Sequence, residues 1–309
     1  METIKVFASA SVANVACGFD VLGFAVNEPG DEVILSKNNS GKLKIVSIEG
    51  DDGQLPREIE KNTVTVVIAA ILDHLGIGQG FDIKLNKKMP LGSGLGSSAA
   101  SSVAGAYAVN ELLGNPLSRE ALLPFAMEGE RAACGSPHAD NVGPSLLGGF
   151  ILIRSYDPLD VVKLPSLPDL YATVVHPQIE IRTKDARGIL RKEITLKDAV
   201  RQWGNVGGFI AGLYSGNFEL LGRSMVDYIV EPIRSILLPG YDQVKGKAMH
   251  AGALGCGISG SGPSVFALSR GRKIAEKAGK EMATVFEQLK IESEVYVSGI
   301  NQQGPLILD

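Results

Sequence analysis

The sequence predicts a fold of the α+β class in two domains. Its 309 residues are enough for about two hydrophobic cores of ordinary size. Strand-like and helical runs are both plentiful, yet they do not alternate in the regular order of a doubly wound sheet. The stretch Tyr156–Pro168 carries three prolines between one strand-like run and the next, where a linker is expected. The predicted domains are therefore residues 1–158 and 159–309.

The elements follow from pattern and punctuation. Short runs rich in β-branched and aromatic residues predict strands over Ile4–Ala8, Glu32–Ser36, Leu43–Ile48 and Phe81–Leu85 in the first domain. Apolar residues at helical spacing predict helices over Asn62–Leu75, Ser97–Leu113 and Glu120–Ala133. Asn62 and Ser97 are placed to cap N-termini, and Gly76 and Gly114 to end those helices. Phe150–Arg154 closes the domain as a strand. Beyond it, strands are expected over Tyr171–His176, Ser264–Leu268 and Val295–Ile300. Helices are expected over Leu196–Tyr214, Phe218–Tyr228, Asp242–Ala253 and Arg272–Leu289.

Composition narrows the functional class. A net charge of −4 with no basic block gives a nucleic-acid partner no electrostatic footprint. Cys17, Cys134 and Cys256 lie far apart with no Cys-x-x-Cys pair, which argues against a zinc site and fits a reducing compartment. Nothing at the N-terminus reads as a signal peptide and no apolar run is long enough to span a bilayer. The expectation is a cytoplasmic protein with no membrane contact.

One run carries the chemistry: Pro90-Leu91-Gly92-Ser93-Gly94-Leu95-Gly96-Ser97-Ser98-Ala99-Ala100. It joins a strand-like segment to a long stretch of small, helix-tolerant residues. Such a loop leaves backbone amides uncovered at a helix N-terminus, where the dipole is positive, and this favours an anion such as phosphate. It is not a P-loop, because Gly96 is followed by Ser97 and not by lysine. It also fails the dinucleotide fingerprint in glycine spacing. A phosphate here must have its charge met by amides, hydroxyls and a metal ion.

Other constellations suggest the rest of a site. Asn14 and Asp20 are polar residues in a small, apolar segment after the first strand, suited to an Asx turn or to a substrate's ammonium or hydroxyl group. Glu128 and Glu130 lie near a helix end, where a carboxylate with a nearby serine suits Mg²⁺. His138 lacks a second His or Cys at ligand spacing, which argues against zinc. Arg182, Arg187, Arg191 and Arg234 are candidate receivers for a carboxylate, and Pro232 makes the segment around Arg234 unlike a plain surface helix. Gly255-Cys256-Gly257-Ile258-Ser259-Gly260 matches Gly-x-Gly-x-x-Gly, but a strand-like run follows it where the fingerprint needs a helix. That second glycine-serine loop is a candidate for contact with ligand or with the first loop.

Together these pieces resemble the superfamily of small-molecule kinases that includes the galactokinases, homoserine kinases, mevalonate kinases and phosphomevalonate kinases. Three motifs match in order: Ala10-Ser11-Val12-Ala13-Asn14 running on to Gly18-Phe19-Asp20, then Pro90–Ala100, then Gly257–Pro263. Gly18–Gly23, His138–Pro144, Thr183–Arg187 and Glu231–Arg234 are similar to the homoserine kinase branch. The resemblance covers nearly the whole chain. It implies ATP-dependent phosphorylation of the L-homoserine hydroxyl, a step of threonine biosynthesis, by a homodimer. It also implies an N-terminal domain like ribosomal protein S5 domain 2 and a ferredoxin-like C-terminal domain.

Residue by residue, the resemblance puts the ATP phosphates on Pro90–Ala100 and Mg²⁺ on Ser98 and Glu130. Asn14, Asp20, His138 and Asn141 would surround the homoserine amino and hydroxyl groups. Arg187 and Arg234 would take the carboxylate, with Thr183 near the reacting centre; Asn141, Arg187 and Thr183 are the expected catalytic residues. Several relatives place an aspartate as base where this chain has Asn141, so the expectation is transfer without a protein base. Asp140 is the rival. A mevalonate or sugar kinase and a catalytically silent nucleotide sensor are the alternatives in function.

Overall fold

The computed structural model describes residues 2–309, the side chain of Cys134 apart. Two sheets organise it. The first has seven strands: β1 (Thr3–Ala13), β2 (Leu22–Asn38), β3 (Leu43–Glu49), β4 (Gly80–Asn86), β5 (Phe150–Tyr156), β6 (Leu159–Leu164) and the C-terminal β11 (Leu306–Leu308). The second has four antiparallel strands, β7 (Leu170–Pro177), β8 (Gly255–Ile258), β9 (Val265–Arg270) and β10 (Ser293–Gly299), in the order β10-β7-β9-β8.

In the first sheet β11-β1-β2-β4-β3 form the main path. β2 is long enough to serve two neighbours: its first half pairs with β5 and its second half with β4. Helices α1 (Thr63–Leu75), α2 (Ser97–Leu112), α3 (Leu123–Cys134) and α4 (Ala139–Leu147) pack with this sheet and with one another. α2 is built from Ala and Ser, good to tolerable helix formers whose small side chains let nearly its whole circumference be buried. It touches β1 and β2 on one side and α1 and α3 on the other.

Beyond the first sheet come α5 (Thr183–Gly188), α6 (Leu196–Ser215), α7 (Phe218–Ser224), α8 (Glu231–Arg234), α9 (Tyr241–His250) and α10 (Arg272–Gln288). α9 and α10 cover the second sheet around a core of Val175, Val244, Val265, Met282 and Phe286. The larger core runs on from the first sheet to the second. Phe24 of β2 meets Phe150 of β5 at 5.0 Å and Phe266 of β9 at 5.9 Å between ring centroids, and Phe209 of α6 meets Phe150 at 5.7 Å. These tilted and edge contacts fix one sheet against the other and so fix the cleft between them.

Several expectations need correction. Ser97 is not the cap of α2: Gly96 occupies that position with φ of 68°, while Ser97 is the first helical residue and turns its hydroxyl to Asp31. Asn62 does cap α1, accepting from the Val64 amide, and Gly76 ends it in the left-handed region. The first half of β2 lies outside the predicted strands because Gly23 and the Asn27–Gly30 segment look like a loop. The helix expected over Phe218–Tyr228 stops at Ser224, since the Asp227 carboxylate collects the amides of Ile229, Val230 and Glu231 and turns the chain. α4 is masked in the sequence by Gly143 and Pro144. The junction expected after residue 158 falls in the turn of the β5–β6 hairpin, and the chain passes to the second sheet only after Leu164.

Candidate active site

A cavity of about 610 Å³ lies where the N-terminus of α2, the ends of α3 and α4, and the segments around Thr183, Arg234 and Gly260 converge. At one end is the glycine loop. Leu91, Gly92, Ser93, Gly94, Gly96, Ser97 and Ser98 line the wall, whereas Pro90, Leu95, Ala99 and Ala100 do not; Leu95, Ala99 and Ala100 are buried in the core. The loop is held from below. Ser11 donates its amide to the Leu95 carbonyl at 3.0 Å, and Ser259 donates its hydroxyl to the Gly94 carbonyl at 2.6 Å. A side chain on Gly94 would collide with the carbonyls of Ser259 and Gly262, so the two glycine-serine loops meet backbone to backbone.

The loop has no lysine of its own, but the fold supplies one. Lys87, just after β4, lines the cavity and pairs with Asp31 of β2, both nearly fully buried. Lys87 also donates to the Ser97 carbonyl at 3.0 Å and the Ser101 hydroxyl at 2.7 Å, while Ser97 Oγ donates to Asp31 at 2.8 Å. The second carboxylate oxygen of Asp31 accepts from the amides of Lys88 and Met89. This network ties β2, β4 and the first turn of α2 into one rigid floor. A buried pair so fully hydrogen-bonded is costly to break on one side only.

Glu130, on α3, is 4% exposed and hydrogen-bonded to Ser98. Burial pushes its carboxyl up to about 7, against the opposing pull of Ser98 and of the nearby Lys87 charge. Glu128, two residues earlier, is a half-exposed partner of Arg131 and stands outside the cavity.

The other end of the cavity is a knot of charges. The loop after β1 runs through Asn14, Val15 and Ala16 with φ of 71°, 44° and 56°, a left-handed run that costs a β-branched residue such as Val15 on the order of 1–3 kcal/mol. Asn14 holds the loop in place, donating to the Gly260 carbonyl at 2.8 Å and accepting from the Asp20 amide at 3.1 Å. Asp20 receives both prongs of the Arg187 guanidinium at 2.9 Å each. Arg187 also donates to His138 Nδ1 at 3.3 Å, which fixes His138 as the tautomer protonated on Nε2. Burial, then the Arg187 charge, lowers the His138 pKa, in keeping with a neutral ring.

Arg234, 4% exposed, donates to the carbonyls of Ala186 and Gly260. Its guanidinium and that of Arg187 both lie over the ring of Phe19, at 5.0 and 5.5 Å. Burial and the proximity of Arg187 lower its pKa to about 10, so it stays a cation at neutral pH. Thr183 and Ser261 share a hydrogen bond of 3.2 Å, and Asn141 accepts from the Ser11 hydroxyl at 3.0 Å. Asp140 is fully enclosed beside them. Burial and the charge of Asp20 push its carboxyl up to about 7, and its Oδ1 has no hydrogen-bond partner among the described residues.

The fold thus brings Asn14, Asp20, Ser98, Glu130, His138, Asn141, Thr183, Arg187 and Arg234 to one cavity. Arg182 and Arg191 remain outside it, exposed to solvent. Sequence reasoning misses Lys87 and Asp31, and it misses a second hub behind the charged end. Gln202 of α6 donates to the Cys17 carbonyl at 2.6 Å and to Asp227 at 3.0 Å. Asp227 in turn caps the start of α8, which carries Arg234. Only long-range pairing reveals these residues; nothing local distinguishes Gln202 from any other helix glutamine.

The uncovered amides at the start of α2 and the buried Glu130 beside Ser98 share one cavity, a layout suited to phosphoryl transfer, and the chain is similar to known kinases. Residues 62–149 match the model described as "GHMP kinases N terminal domain", and residues 209–288 match "GHMP kinases C terminal". Homoserine kinase of Chlorobium phaeobacteroides (strain BS1) is 50% identical over 320 aligned residues, covering 100% of both chains. Homoserine kinase of Xylella fastidiosa (strain M12) is 37% identical over 98% of this chain and 94% of its own. The crystal structure of homoserine kinase from Cytophaga hutchinsonii superposes with a TM-score of 0.98 at 62% identity, covering 100% of this chain and 98% of that one. The chain belongs to the homoserine kinases, within the GHMP kinase family.

Proposed function

We propose that the protein transfers the γ-phosphoryl group of ATP to the hydroxyl of L-homoserine, giving O-phospho-L-homoserine on the route to threonine. The observation that carries this is a single cavity with an anion-binding helix terminus at one end and an array of paired charges at the other. A nucleotide triphosphate fits the first and a zwitterionic amino acid the second. Full-length identity of 50% to homoserine kinases supports the same assignment.

The residues suit Mg²⁺. It accepts hard oxygen ligands, takes few of them from the protein, and leaves positions for phosphate oxygens. Glu130 and Ser98 offer a carboxylate and a hydroxyl side by side, and a carboxyl held near pH 7 by burial gains most from a cation. Bound there, Mg²⁺ supplies charge neutralisation for the phosphates. The amides at the start of α2 hold the phosphates, and Lys87 fixes the floor beneath them. Arg187 and Arg234 receive the substrate carboxylate, Asp20 and Asn14 its ammonium, and His138, Asn141 and Thr183 orient the hydroxyl.

Phosphoryl transfer through a loose transition state asks mainly for alignment and charge neutralisation. Asn141 cannot accept a proton at neutral pH, so in this reading the alcohol proton leaves late, to the transferred group, and no side chain acts as base. The protein works as a cytoplasmic homodimer. Its domains divide between Leu164 and Leu170 into an S5 domain 2-like and a ferredoxin-like half, with ATP between them. A coupled ADP-release assay with homoserine, mevalonate, threonine and galactose tests the assignment. ADP release with homoserine foremost is expected; release with mevalonate but not homoserine would overturn it.

A further inference from the structure

α6 presents a face that the rest of the chain does not use. Leu196, Val200, Trp203 and Tyr214 are 72%, 55%, 63% and 64% exposed, and Gly204, Gly207 and Ala211 between them are exposed as well. At 100° per residue all seven fall on one stripe, about 27 Å long at a rise of 1.5 Å per residue. The opposite face of the helix is the ordinary one: Ala199, Gln202, Phe209 and Leu213 are buried.

The glycines sharpen the point. α6 contains four in its interior, each costing about 1 kcal/mol against alanine unless something requires it. Gly208 and Gly212 are required, because a side chain there would strike Ser224 and Leu221 of α7. Gly204 and Gly207 are not: a Cβ on either would meet nothing within 4 Å. Within one molecule they have no packing reason. They are what a second helix needs in order to approach closely.

The stripe is complementary to itself. Turned about a two-fold axis that crosses the exposed face between Gly204 and Gly207, it sets Trp203 over Gly207 of the other copy, Val200 beside Ala211, and Leu196 against Tyr214. Large residues then fall opposite small ones along most of the seam. With Tyr228 at the margin, stacked under Arg201, the exposed apolar area is roughly 500–600 Å² per copy on the usual yield of large side chains. Covered in full on two copies, this surface would come to about 1,000–1,200 Å², at the threshold for a specific interface. This self-complementarity and this area favour a second copy of the chain as the occupant.

We infer that α6 packs antiparallel against α6 of a second copy, with Trp203 seated on Gly207 across the two-fold axis. This rests on the homodimer reading above and names its surface. It also links assembly to the site, because the buried face of the same helix carries Gln202, which holds the Cys17 carbonyl and Asp227.

Sedimentation velocity of the full chain tests it. Wild type should run as a dimer, twice the 32.6 kDa protomer. Trp203→Glu should weaken dimerisation by about 30-fold or more, the scale of a central aromatic hot spot. Gly207→Leu should also yield monomer while holding or raising the melting temperature of the isolated fold, since leucine favours the helix and fills open space. Exchanging the pair, Trp203→Gly with Gly207→Trp, should restore the dimer. A dimeric wild type whose two single variants stay dimeric would overturn the seam but leave the homodimer standing. A wild type that sediments as protomer at all concentrations would overturn both.

Discussion

The two ends of the cavity are built on different principles. The end proposed for the phosphates comes from nearly continuous chain: residues 91–98 supply loop, cap and first helical turn, and the buried Lys87–Asp31 pair locks them from beneath. The end proposed for the amino acid is assembled from four remote segments around Asn14–Asp20, His138–Asn141, Thr183–Arg187 and Arg234. Its charges satisfy one another while they wait, as in the Asp20–Arg187 fork. A generic anion can be held by rigid backbone alone. A zwitterion needs opposite charges at set positions, and those charges are tolerated in a half-buried site only by pairing with each other. Generality is local in sequence, and specificity is tertiary.

The largest effect is expected at the phosphate end. Glu130→Gln should lower kcat by about 10²–10³-fold or more, the range for losing a major electrostatic stabiliser. A Mg²⁺ titration should show the requirement shifted to higher concentration. Wild-type affinity for the Mg²⁺–nucleotide should itself rise with pH through about 7, as the Glu130 carboxyl ionises.

Next comes the hub behind the amino-acid end. Gln202→Leu removes three hydrogen bonds, those to the Cys17 carbonyl and the Asp227 carboxylate and that from the Tyr228 amide; at about 1 kcal/mol each it should raise the homoserine KM by about tenfold or more, with little change in the ATP KM. A purely structural role would instead lower the melting temperature and leave the ratio of the two KM values unchanged.

The smallest kinetic effect is expected at Asp140. Asp140→Asn should leave kcat within about tenfold of wild type, because positioning and not proton abstraction drives transfer. A fall of several orders of magnitude at unchanged KM would identify it as the base. The same variant should alter stability in a pH-dependent way. Asp140 keeps its proton up to about pH 7 in the folded chain, while an unfolded aspartate loses it near pH 4. The stability this contributes is present below about pH 4 and lost as pH rises through about 7. Asp140→Asn should therefore melt higher than wild type at pH 8 and lose that advantage at pH 5.

Much of the phosphate end is legible in the amino-acid sequence alone. The glycine-serine run announces itself because a helix terminus needs uncovered amides and small residues in sequence. Even there the pattern points to Ser97 as the cap, whereas the hydroxyl's true partner, Asp31, lies 66 residues away. At the other end, family resemblance gathers residues that the fold brings to one cavity, but no local pattern shows that Arg187 lies on Asp20 or that Gln202 steadies the loop at Cys17. Pairings of that length are set by how the sheets pack. The exposed stripe of α6 is hidden for a related reason: periodicity shows that a helix has apolar positions, and only the packed structure shows which of them it leaves uncovered.

In the proposed function the two ends of the cavity serve different ligands. Parallel measurement of homoserine and ATP KM values in Arg187→Ala tests it most directly. Loss of a charge-assisted contact worth about 1.5–3 kcal/mol predicts a homoserine KM raised by roughly 10- to 150-fold with the ATP KM near normal. Equal damage to both constants would contradict the division of the cavity.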